Sequence, residues 1–178
     1  MRLSLVAFFM VSFAVFQVFP CLAEELSPGF DEAFAAAYQV HVSDAGLEEK
    51  AASWEGLLAA YPNQPEGVQV VVWLLKNKYG EDSGRGTALA FLDRHLARVT
   101  DDGVRERLLL ERISVLGEAG LAGQFRDAAG AWIESRGVST ANYRRLMRAA
   151  LAAGACDTTT EIGKRYLAGL SAEQLREW

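Results

Sequence analysis

The sequence predicts an all-α chain: about four helix-turn-helix units stacked as a helical-repeat solenoid. Three observations carry that expectation. Apolar residues recur at i, i+3, i+4 and i+7 in segment after segment, which is the buried stripe of an amphipathic helix. Short breaks rich in Gly, Pro, Asn and Asp separate the stripes, and breaks of that length join antiparallel neighbours. The starts also repeat. First helices begin near 30, 66, 104 and 140 and second helices near 46, 86, 121 and 158, a spacing of about 37 residues that falls in the range of helical repeats.

The segment 1–23 comes first and has a different character. Arg2 is followed by an apolar run from Leu3 to Phe16, then Pro20 and the small residue Ala23 before Glu24 and Glu25. This is the layout of a secretory signal peptide, and it predicts an exported protein. The run is short for a membrane span, which needs about 20 apolar residues. Cleavage after Ala23 leaves 24–178 as one helical repeat domain without a membrane span. An uncleaved anchor and a lipoprotein acylated at Cys21 are the alternatives. Phe19-Pro20 lacks the small residues that lipoprotein processing wants.

Ser27 and Pro28 suit the start of the first helix, whose stripe is Phe30, Ala33, Phe34, Ala37, Tyr38 and His41. Leu47, Ala51, Trp54, Leu58 and Tyr61 form the next stripe, and Pro62-Asn63-Gln64-Pro65 ends it. The β-branched stretch 68–75 (VQVVVWLL) reads as strand or helix. Pro65 before it and its continuation through Tyr79 favour helix. The irregular connection Gly80–Gly86 follows. Further stripes are Leu121, Phe125, Ala128, Ala129, Trp132 and Ile133; then Tyr143, Leu146, Met147, Ala150 and Leu151; then Ile162, Tyr166, Leu167 and Leu170. A capping box, Ser171-Ala172-Glu173-Gln174, opens a last short helix.

Charge and cysteine content narrow the function. Residues 24–82 hold 11 acids and 3 bases, whereas 83–178 hold 12 acids and 14 bases, nearly all Arg. That balance argues against nucleic-acid binding, which wants a strongly basic footprint. Only Cys156 remains after cleavage, so no internal disulfide forms, and burial at a helix start is expected for it. His41 and His95 lack ligand-type neighbours, so neither a metal nor another cofactor is expected. No Gly-x-Ser-x-Gly or His-Glu-x-x-His occurs. His41 lies on an apolar stripe and reads as a satisfied core or groove histidine, and GEDSGRGT (80–87) as an ordinary loop. Glu48-Glu49 and Asp101-Asp102 sit at helix starts, where acids meet the positive end of the helix dipole.

The stretch from Trp54 through Tyr61-Pro62-Asn63-Gln64-Pro65 to Trp73 resembles the tetratricopeptide repeat (TPR) as found in bacterial envelope proteins. The resemblance is carried by residues 54–75 and elsewhere by the period; Phe125, Ala128 and Trp132 fall at the spacing of a TPR second helix. It implies a non-catalytic protein-binding scaffold in the periplasm or cell envelope, with first helices lining a concave face. Arg105, Arg107, Arg112, Arg144, Arg145 and Arg148 lie off the apolar stripes of two such helices. They are the candidate partner-binding residues, suited to an acidic protein or extended peptide because a guanidinium holds carboxylates bidentately. The acidic half of a second copy is another source of that partner. A solvated helix face is the plain alternative for these arginines. At the level of function the alternatives are a helical cell-wall-associated enzyme or accessory and a small-ligand binding protein.

Overall fold

A computed structural model describes residues 29–80 and 84–171. The expected signal segment, the Ser27-Pro28 helix start and all but Ser171 of the last capping box lie outside those residues. Among the described residues the chain forms eight α-helices and no strand: α1 (Phe30–Val42), α2 (Leu47–Ala60), α3 (Gly67–Asn77), α4 (Arg85–Leu96), α5 (Asp102–Glu118), α6 (Ala122–Arg136), α7 (Thr140–Ala152) and α8 (Cys156–Ala168). The ambiguous stretch 68–75 is helical, in α3. Val68, Val71 and Leu74 recur on its buried side at a spacing a strand cannot produce.

The double-proline break works through its backbone. Pro65 has no N–H to offer, but its carbonyl accepts from the Val68 N–H at 3.2 Å and so opens α3. Asn63 ties this turn to the next one. Its Oδ1 accepts from the Thr100 and Asp101 backbone N–H groups at 2.7 and 3.0 Å, and its Nδ2 donates to Thr100 Oγ1 at 2.9 Å. Asp101 in turn caps α5 by accepting from the Val104 N–H at 2.7 Å. Asn63→Ala removes all three bonds at once. At about 1 kcal/mol per bond it should destabilise by about 1–3 kcal/mol, read as a melting temperature several degrees lower in a circular dichroism melt. An unchanged Tm would show the clamp to be idle.

Two hydrophobic clusters make up the core. One runs from Phe30 to Leu108, the other from Ile113 to Ile162. The 17-residue helix α5 contributes to both, with Val104 and Leu108 in the first and Ile113 and Leu116 in the second. Residues buried this fully contribute about 1.5–3 kcal/mol each, so α5 couples the two halves. Helices pack as α1 on α2, α5 on α6 and α7 on α8, and α5 also lies beside both α3 and α7. The expected second hairpin departs from this pattern. α4 packs more closely on α5 than on α3, and the connection already read as irregular lies between α3 and α4. Tyr79 stacking on Phe91, ring centroids 4.7 Å apart, joins the end of α3 to α4.

Two expectations about burial need correction. Tyr38, Leu47, Leu121, Leu151 and Leu167, assigned to apolar stripes, are exposed. Leu47 is the first residue of α2, while Leu151 and Leu167 sit near the ends of the last two described helices, with no further described helix to cover them. Cys156 is exposed, not buried. On α8 the inward positions are Thr158, Ile162 and Tyr166, a row spaced by four that leaves Cys156 on the opposite side.

Candidate binding groove

α3, α5 and α7 line an open groove of about 560 Å³. On α7, Asn142, Leu146, Ala149 and Ala150 turn to the interior, which leaves Arg144, Arg145 and Arg148 to line the groove. Val72, Leu75, Val115 and Ala149 supply apolar lining. The charged lining is Lys76, Arg144, Arg145 and Arg148 against Glu111 and Glu118, two cations in excess.

These cations are not equivalent. Arg145 is held by its own chain: its Nε donates to Ser114 Oγ at 2.9 Å and its Nη2 donates to Glu111 Oε2. Glu111 is buried, so the pair fixes α7 against α5 and satisfies a carboxylate largely removed from water. Lys76, Arg144 and Arg148 are exposed and have no ion-pair or hydrogen-bond partner among the described residues.

α5 and α7 cross closely beside the groove. A Cβ on Gly117 would stand 2.4 Å from the carbonyl oxygen of Ala149 and 2.7 Å from its Cα, so the two backbones meet there directly. Asn142 steadies the start of α7 by accepting from the Ser139 N–H at 2.8 Å.

The six arginines singled out in the sequence therefore separate. Arg144, Arg145 and Arg148 come together in the groove. Arg105 instead donates to the carbonyls of Leu96 and Val99 at 3.1 and 3.2 Å, closing the end of α4. Arg112 donates through Nε to Asp93 Oδ1 at 2.6 Å. Both line a second hollow between α5 and α6, and Arg107 is exposed and lines neither. Sequence reasoning missed Lys76, Glu111 and Glu118. The signal for Lys76 was present: it follows Val72 by one turn, on the side of α3 away from Val68, Val71 and Leu74.

The two histidines sit in partly or largely buried surroundings. His41 Nδ1 accepts from Trp54 Nε1 at 3.2 Å, and its ring meets Trp73 edge-on with centroids 5.1 Å apart. Burial, with Lys50 adding to it, holds the His41 pKa below its ordinary value of 6.5. Burial and Arg98 do the same for His95. At the other end of the scale, burial first and then the hydrogen bond to Glu55 push the Tyr79 phenol up to about 12.

The sign of the pH dependence follows. A base whose folded pKa is lowered leaves the unfolded chain binding more protons, so stability is lost as pH falls from about 6.5 toward the lower folded value. An acid whose folded pKa is raised contributes stability that is full below 10.0 and lost as pH rises toward about 12. Urea midpoints should therefore plateau between these limits and fall on both sides. A His41→Gln/His95→Gln variant should lose the acid-side fall in this range; an unaltered slope there would contradict the assignment.

No group of three or more His, Cys, Asp or Glu among the described residues could hold a metal ion. No described helix is long and apolar enough to cross a membrane. No family model matches the chain, and neither a curated protein nor a solved structure does.

Proposed function

We propose that this chain is an exported, non-catalytic binding scaffold of the bacterial cell envelope, a TPR-like solenoid that docks a protein or extended peptide of acidic character on the face formed by its first helices. The observation that carries the reading is the groove along α3, α5 and α7, where Lys76, Arg144 and Arg148 surround apolar lining with no ion-pair or hydrogen-bond partner among the described residues. Exposed cations beside partly exposed apolar side chains suit a ligand that supplies carboxylates and aliphatic groups together. The signal-peptide layout of 1–23 supports export, and the Trp54–Trp73 stretch supports the repeat family.

Calorimetric titration of residues 24–178 with a short blocked peptide of Glu, Asp and Leu tests this. Arg144→Ala/Arg148→Ala should weaken binding by about tenfold or more and flatten its salt dependence, with helicity unchanged. Arg145 is left intact in that variant because it serves the fold. Equal affinity for both proteins would return these arginines to the role of a solvated helix face.

A further inference from the structure

We propose that the groove's occupant is the α1–α2 corner of a second copy of this chain, giving a head-to-tail interface; this rests on the groove being a docking surface, as proposed above. The corner has the complementary chemistry. Val42 and Leu47, two of the exposed large hydrophobic residues, flank the connection between α1 and α2, 55% and 46% exposed. Asp44, Glu48 and Glu49 stand around them. Asp44 and Glu49 are exposed with no ion-pair partner among the described residues, and the 83%-exposed Glu48 carboxylate reaches only Lys78, at 3.7 Å. The corner thus pairs exposed aliphatic side chains with free acids. The groove pairs exposed Val72 with the free cations Lys76, Arg144 and Arg148.

None of the residues 42–49 lines the groove of its own chain. The two surfaces also lie in different units, one on the first hairpin and the other on α3, α5 and α7. Joining them between copies is therefore heterologous: each copy keeps one unused corner and one unused groove, so growth continues until a ring closes. Opposite charge lines the two faces, which disfavours corner-on-corner and groove-on-groove contacts. A corner of this size in one groove belongs with the small, transient interfaces that bury less than about 1,200 Å², so association should be weak and concentration-dependent.

Sedimentation equilibrium of residues 24–178 carrying Cys156→Ser, which removes disulfide cross-linking through the exposed thiol, tests the proposal. The weight-average mass should rise with concentration at about 0.1 M salt and return toward the monomer at about 1 M, where the screening length falls from about 10 to about 3 Å. The corner variant Asp44→Ser/Glu49→Ser and the groove variant Arg144→Gln/Arg148→Gln, neutral so that the two altered faces do not attract each other, should each stay monomeric, with unchanged circular dichroism. An equimolar mixture of the two should form dimers that grow no further, because one intact groove meets one intact corner. A wild-type chain monomeric throughout, or a mixture that does not associate, overturns the proposal. If that chain still binds the acidic peptide at Arg144 and Arg148, the groove reading survives; if it binds neither, both fall.

Discussion

Gly117→Ala should be strongly destabilising, against the direction that helix propensity alone predicts. In a helix interior alanine is favoured over glycine by about 1 kcal/mol. At Gly117 the added Cβ would lie 2.4 Å from the carbonyl oxygen of Ala149 and 2.8 Å from its carbonyl carbon. Both are main-chain atoms inside α7 and cannot swing aside as a side-chain tip would. The helices would have to part, loosening Leu116, Leu146 and Ala150, all fully buried beside the crossing. Overpacking of this kind costs about 1–3 kcal/mol and sometimes more, and contact with backbone places Gly117→Ala at the upper end. A Tm drop of about 6–12 °C is expected. Gly130→Ala is the internal control: it lies within α6 with no atom within 4 Å of the added Cβ, and it should be neutral or stabilising by up to about 1 kcal/mol. Equal effects at the two positions would show that the α5–α7 crossing is not tight.

Arg145→Ala should have the next largest effect. It strips Glu111, buried in α5, of its cationic partner and also removes the hydrogen bond to Ser114. An unpaired buried carboxylate is worth about 2–4 kcal/mol of lost stability, less than for a fully buried pair because Arg145 is partly in water. Replacing both partners, as Glu111→Leu/Arg145→Met, should recover most of it, since neither charge is then stranded. Arg144→Ala and Arg148→Ala should each stay within about 0.5 kcal/mol of wild type. Three arginines within five residues of one helix thus divide into one that holds the fold and two that are free for a ligand. Chemical denaturation of the single variants reads this out; equal losses at all three positions would contradict it.

Much of the helical architecture is legible in the sequence because its cause is local. Apolar spacing marks the interior of each helix, and the proline, glycine and aspartate breaks mark the ends. Stretch 68–75 was ambiguous because valine is at home in strands, yet its buried residues fall at helical spacing once α2 and α5 are in place. What stayed illegible depends on neighbours. Periodicity cannot show that α4 packs more closely on α5 than on α3, or that Leu151 faces outward because no described helix covers it. Nor can it separate the arginines: Arg105 is spoken for by carbonyls at the end of α4 and Arg112 by Asp93, partners 6 to 19 residues away. Gly117 carried a faint trace, since a glycine within a long helix calls for a packing reason, but its contact lies 32 residues on, at Ala149.

The central claim is that α3, α5 and α7 present one ligand-binding face. Amide chemical-shift mapping on isotope-labelled 24–178, titrated with the blocked acidic peptide, tests it most directly. Shifts should concentrate on Val72–Lys76, Ser114–Glu118 and Ala141–Ala149, the three segments that line the groove. They should vanish in Arg144→Ala/Arg148→Ala while persisting in Gly130→Ala. Shifts confined to the hollow between α5 and α6 around Arg105, Arg112 and Arg136, or spread evenly over exposed cations, would contradict it.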